Sequence, residues 1–171
     1  QIVTIKSRAA AEFFSADWKN TGQVWYTIGE ETGGSGLENY FQLSMDRRAI
    51  NQISALGLAH CGDAVFELLV RSYLCASGKA AIKNLHRATV DMVCAPAQAA
   101  RADRMLPMLN EQELALYKRG RNANVHQIPK NATHEQYAKA TGLECLFGAL
   151  YLEGRLDRLN ELFTATMEEP H

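Results

Sequence analysis

Apolar residues recur at threes and fours through most of this chain, and the spacing predicts helices rather than strands from Asp46 to the end. The strongest stretch is Leu56–Arg71, nearly all apolar, preceded by Asp46–Leu56 and expected to continue as a helix to about Cys75. Ile50, Ile53, Val65, Phe66, Leu69 and Tyr73 fall on the spacing of a core-facing stripe, and Ser77-Gly78 stops the run. Asn84 is a candidate cap for a helix carrying Leu85, Val90, Val93 and Cys94. Pro96 cannot sit unstrained inside that helix, so a kink or restart is expected there, with helix resuming to Met105 before Pro107. Asn110, followed by Glu111 and Glu113, opens a helix that ends near Lys118–Arg121. A polar loop over residues 122–130 contains Pro129. Thr133 then caps a long helix over 134–153, Gly154 ends it, and a last helix covers about 155–168. The expectation for 45–171 is one all-α domain, without internal repeat.

Residues 1–44 follow another pattern. Two short β-prone runs, Gln1–Ile5 and Gln23–Ile28, precede Gly33-Gly-Ser-Gly36, a flexible linker composition. Leu37-Glu-Asn-Tyr-Phe-Gln-Leu-Ser-Met45 resembles the tobacco etch virus protease site used to remove tags, with one leucine displaced. Met45 is therefore read as the native start and residues 1–44 as a leader or tag, the displaced leucine leaving a native extension with a small hairpin as the alternative.

Charge and cysteine usage narrow the picture. A net charge of −1 over 171 residues excludes a wholly basic nucleic-acid binder but not a local basic patch. No run is long and apolar enough to span a bilayer, and no secretory signal opens the sequence. Cys61, Cys75, Cys94 and Cys145 are scattered among apolar neighbours without a CxxC pair, so buried free thiols, a reducing compartment and a cytoplasmic location are expected.

Three features could carry chemistry. Asp63, Glu67 and Arg71 are spaced i, i+4, i+8 and share one helix face, and Gly62 before Asp63 permits close approach of another backbone. The bland alternative is a Glu67–Arg71 pair with Asp63 near a helix start. Glu144 is the sole acid between Glu135 and Glu153, on a face with Thr141 and Gly148 amid Leu143, Leu146 and Phe147. It either pairs with a core arginine or joins Asp63 in an oxygen-ligand site, and such carboxylates with remaining waters suit Mg²⁺. Between Glu113 and Glu135 there is no acid, while Lys118, Arg119, Arg121 and Lys130 stand there beside Gly120, Asn122 and Asn131. This stretch is either a solvated loop with bases favouring a helix C-terminus or a phosphate-contacting loop.

The segments Leu58-Ala-His-Cys-Gly-Asp-Ala-Val-Phe-Glu67, Leu85-His-Arg87, Arg119-Gly-Arg-Asn122, Pro129-Lys-Asn131 and Leu143-Glu-Cys-Leu-Phe-Gly-Ala-Leu-Tyr-Leu152 occur here in order. Together they resemble Mini-III ribonuclease, the short bacterial branch of the ribonuclease III family, over about Asp46–Phe163. The resemblance implies a helical ribonuclease III endonuclease domain, a homodimer, and Mg²⁺-dependent hydrolysis of double-stranded RNA, with Mn²⁺ able to substitute. It also implies the large-subunit (23S) ribosomal RNA precursor as substrate and a large-subunit ribosomal protein as assistant. Asp63 takes the place of the signature aspartate and Glu144 that of the metal-binding glutamate, making these the catalytic and metal residues. Arg119, Arg121, Asn122, Lys130 and Asn131 become the RNA-binding set, with Glu67, Arg71 and Thr141 supporting. The larger enzymes carry acids where this chain has Ala59 and Thr141, so two of four ligand carboxylates are missing, as in the short branch. The grip on RNA is expected from the catalytic domain itself. A non-catalytic ribonuclease III-like module that binds RNA in a ribosome or maturation particle is the rival reading, and a purely structural bundle a third.

Overall fold

Capping side chains set where four of the helices begin in the computed structural model, which describes residues 39–78, 81–123 and 131–167. Asp46 accepts from the Ala49 amide and opens α1 (Arg47–Gln52). Ser54 accepts from the Gly57 amide and opens α2 (Ala55–Ser77), which stops at Gly78 in the left-handed conformation (φ 61°). The approach through 46–56 is thus broken at Ile53, whose extended backbone separates the two helices. A single 3₁₀ turn, Ile82–Asn84, leads into α3 (Leu85–Val93); Asn84 stands at the cap position but makes no capping hydrogen bond. Cys94 is extended and Pro96 lies in the first turn of α4 (Ala95–Met105), so the proline marks a restart. A second 3₁₀ turn, Leu106–Met108, contains Pro107. Asn110 and Glu113 close a reciprocal capping box at the head of α5 (Glu111–Arg121), and Thr133 and Gln136 do the same for α6 (His134–Leu152). Gly154 (φ 73°) turns the chain into α7 (Leu156–Met167). Among the described residues there is no strand, and no helix is long and apolar enough to cross a membrane. The β-prone runs at 1–5 and 23–28 lie outside the described residues.

The core gathers around α6, which is buried almost continuously from Ala140 to Leu150 and packs against α2, α4, α5 and α7. Phe66 of α2 meets Phe147 and Phe163 edge-to-face at 5.5 and 5.9 Å. Ile50, Val65 and Phe66 are buried as the stripe predicts, with Ile53, Leu69 and Tyr73 packed at its border. On α3 the periodicity misleads: Thr89 is buried, its hydroxyl donating to the Leu85 carbonyl, and Val90 is exposed. All four thiols are free, but only Cys145 is buried; Cys75 lies on the solvent face of α2 and Cys94 at the break before α4. The compact unit begins at Asn39. There the Tyr151 hydroxyl donates to the Tyr40 carbonyl at 2.5 Å, and the Met45 amide donates to the Leu152 carbonyl at 2.8 Å.

Candidate active site

Glycines bring three helices closer than side chains would allow. A Cβ on Gly62 would sit 1.8 Å from the Glu144 carbonyl oxygen, and one on Gly148 would sit 2.1 Å from that of Leu58. Helices α2 and α6 therefore cross backbone on backbone, and the residue after Gly62 lies beside Glu144. At the other side of α6, a Cβ on Gly120 would sit 2.6 Å from the Thr141 carbonyl oxygen, which fixes α5 just as tightly. The site is thus an outcome of helix packing rather than of loop placement.

The two acids at the α2–α6 crossing differ in exposure. Asp63 is exposed on α2, more than two turns from the helix start, so helix-end charge does not account for it. Partial burial of its carboxyl and the charge of Glu67 push it above the usual carboxylate range, while His60 acts the other way. Glu144 lies deeper, flanked by buried residues. Burial, and then the charge of Asp63, push its carboxyl up to about 8, opposed by the Gln98 amide. Among the described residues no arginine or lysine is paired with it. Two mutually repelling carboxylates in a partly dry site form an all-oxygen donor set that fits a hard divalent cation. Among the described residues no group of three or more His, Cys, Asp and Glu side chains stands at ligating distance. A cation held here would keep several waters, as Mg²⁺ commonly does.

The supporting residues have other occupations. Glu67 and Arg71 form the i, i+4 pair, with Arg71 Nε donating to Glu67 at 2.8 Å. Thr141 is buried and its hydroxyl donates to the Tyr137 carbonyl at 3.0 Å within its own helix. Arg119 donates to the Ile53 carbonyl and, at 3.4 Å, to those of Ile50 and Asn51, closing the exposed end of α1. Arg121, Asn122 and Asn131 are exposed around the α5–α6 connection, and Lys130 lies outside the described residues.

Sequence reasoning missed two neighbours of the site. His60 is recognisable in hindsight as the base one turn before Asp63. Gln98, 1% exposed, is the lone polar side chain in a run of alanines, the signal by which it could have been found. Another unmarked feature is Glu113, fully buried under Arg155 and Arg158 at 2.7 and 2.9 Å, which ties α5 to α7. These partners, with the Asn110 amide, hold its carboxyl below the usual range although burial acts the other way.

Comparison with known proteins agrees with this geometry. The Ribonuclease III domain model matches residues 56–155. A Mini-ribonuclease 3 from Symbiobacterium thermophilum is 43% identical over 113 residues, covering 66% of this chain and 87% of that one. A Mini-ribonuclease 3 from Enterococcus faecalis is 44% identical over 117 residues, covering 67% and 89%. A crystal structure of a protein from Fusobacterium nucleatum superposes with a TM-score of 0.64 at 28% identity, covering 70% of this chain and 98% of the other.

Proposed function

Since the chain belongs to the ribonuclease III family, within its Mini-ribonuclease 3 branch, and is an endoribonuclease, we propose that it hydrolyses double-stranded RNA at Asp63 and Glu144 with a divalent cation. The observation that carries this reading is the glycine crossing of α2 and α6, which sets a half-buried glutamate, without a cationic partner among the described residues, beside an exposed aspartate. Asp63 and Glu144 would hold Mg²⁺, or Mn²⁺ in its place. When bound, the cation supplies Lewis-acid chemistry, screening the phosphoryl oxygens and favouring ionisation of water. Glu144 carries its proton near neutral pH in the bare site and gives it up as the carboxylate is engaged. Asp63, on the open face of α2, orients the phosphodiester side of the site, with His60 close by and Glu67 fixed in its pair with Arg71.

Arg121, Asn122, Lys130 and Asn131 are the phosphate-contacting set in this reading, suited to a duplex read by shape rather than by base. Arg119 backs them by fixing the end of α1. A homodimer places two such sites on the two strands. Support for it comes from α2, where the large apolar side chains Leu56 and Leu68 are 46% and 54% exposed. The physiological substrate proposed is the large-subunit (23S) ribosomal RNA precursor, matured in the cytoplasm with a large-subunit ribosomal protein assisting. Residues 1–44 are proposed to be dispensable leader. The test is incubation with long duplex RNA, single-stranded RNA and duplex DNA in Mg²⁺. Cleavage of duplex RNA alone, stopped by EDTA, is expected; duplex RNA left intact would favour the non-catalytic RNA-binding reading.

A further inference from the structure

With Thr141 one turn before Glu144 on α6 and Ala59 one turn before Asp63 on α2, neither acid has a carboxylate at the preceding turn of its helix, and neither residue replaces one. Ala59 has no polar atom, and the Thr141 hydroxyl is spent on the Tyr137 carbonyl. What does approach Glu144 comes from a third helix. Gln98 of α4 is 1% exposed, and its amide lies against the Glu144 carboxyl, favouring the charged form. Its Nε2 nevertheless closes no hydrogen bond of normal geometry with any group among the described residues. A buried donor left in that condition destabilises the fold. Its neighbours on the helix, Ala99 and Ala102, are buried and wholly apolar. Packing alone would favour an apolar side chain of similar volume at 98.

We infer that Gln98 is the positioning residue of Glu144: its Nε2 donates to one oxygen of the ionised carboxylate and leaves the other turned towards Asp63. The inference rests on the reading of Asp63 and Glu144 as a divalent-cation site. A neutral amide suits this role where a third acid would not. It fixes the rotation of the carboxylate without adding negative charge, so Asp63 and Glu144 alone match the charge of one divalent cation. Hydrogen-bond partners of ligating groups act by such orientation, and their loss weakens metal affinity or activity by about 10–100-fold.

The test is Gln98→Met, which keeps chain length and burial and removes the donor. Three measurements are made: thermal unfolding in EDTA, calorimetric titration with Mn²⁺ alone, and steady-state cleavage of duplex RNA. The expected result is an unfolding temperature equal to or above wild type, because an unsatisfied donor is gone. Mn²⁺ affinity should fall by about 10-fold or more, with kcat lowered and KM for duplex RNA unchanged. A folded Gln98→Met protein with Mn²⁺ affinity within about twofold of wild type, well short of that loss, would overturn the inference and leave the cation site standing. Wild-type protein that binds no Mn²⁺ would overturn the cation site itself, and the role of Gln98 with it. Should Gln98→Met not fold, Gln98→Leu is read in the same way; failure of both to fold would make Gln98 a packing residue and reject the inference.

Discussion

Glu144→Gln removes one titrating proton from the helix crossing and leaves the shape of the side chain nearly unchanged. In the cation-free protein the Glu144 carboxyl is pushed up to about 8 from an ordinary value of 4.5. The folded chain therefore holds a proton that the unfolded chain has lost, and stability falls as pH rises from about 4.5 towards about 8. At pH 7 the cost relative to a group that never ionises is about 3 kcal/mol, and at pH 5 it is below about 1 kcal/mol. Glutamine carries no such cost. Glu144→Gln is thus expected to raise the unfolding temperature in EDTA by roughly 10 °C at pH 7, with much less gain at pH 5. It is expected to abolish cleavage in Mg²⁺ at either pH. The assay is circular dichroism during heating across pH 5–8, for wild type and mutant in parallel. Two melting curves that keep a constant separation over that range would refute the reasoning, because the repulsion and desolvation assigned to Glu144 would then be absent.

Three further outcomes follow from the packing. Gly62→Ala places a methyl group against the backbone of Glu144, where no side chain can move aside. Destabilisation of about 1–3 kcal/mol or more and loss of cleavage are expected in melting and activity assays, and a fully active, equally stable mutant would contradict the crossing. Arg119→Ala and Arg121→Ala should separate. Loss of Arg119 frees the carbonyls of Ile50, Asn51 and Ile53 and should lower stability by about 1–3 kcal/mol. Loss of Arg121 should leave melting unchanged and reduce the slope of log affinity against log salt by about one phosphate contact, measured on cleavage-dead Asp63→Asn protein in Ca²⁺. Glu113→Gln should cost about 1–3 kcal/mol at pH 7 by removing the buried carboxylate that accepts from the part-exposed Arg155 and Arg158. Because the folded carboxyl lies below its ordinary 4.5, the wild-type advantage is present above that pH and lost as pH falls through the folded value; a pH-independent difference would contradict the pairing.

Helix boundaries were the most legible part of this chain, because caps and breakers act locally: Ser77-Gly78, Pro96, Asn110, Thr133 and Gly154 each stand where an element begins or ends. The break at Ile53 was hidden, since apolar spacing runs through it and the carbonyls it exposes are satisfied from Arg119, far along the chain. Gly62 was legible as a point of close approach, but which backbone approaches it is a tertiary fact. Asp63 and Glu144 could be named from their setting and from family resemblance. Gln98 was legible only as the lone polar side chain among alanines; that its amide is buried beside a carboxylate of another helix is a tertiary fact. The thiols fail for a similar reason: apolar neighbours in sequence do not decide which face of α2 carries Cys75.

Single-turnover cleavage of a long RNA duplex, with binding measured on the same preparations, tests the central claim most directly. Wild type, Asp63→Asn and Glu144→Gln are compared in Mg²⁺ and in EDTA. Cutting is expected only for wild type in Mg²⁺, with both mutants folded and still binding the duplex. Near-wild-type cutting by either mutant, or by wild type in EDTA, would contradict the assignment of Asp63 and Glu144 as the cation-holding carboxylates of this endoribonuclease.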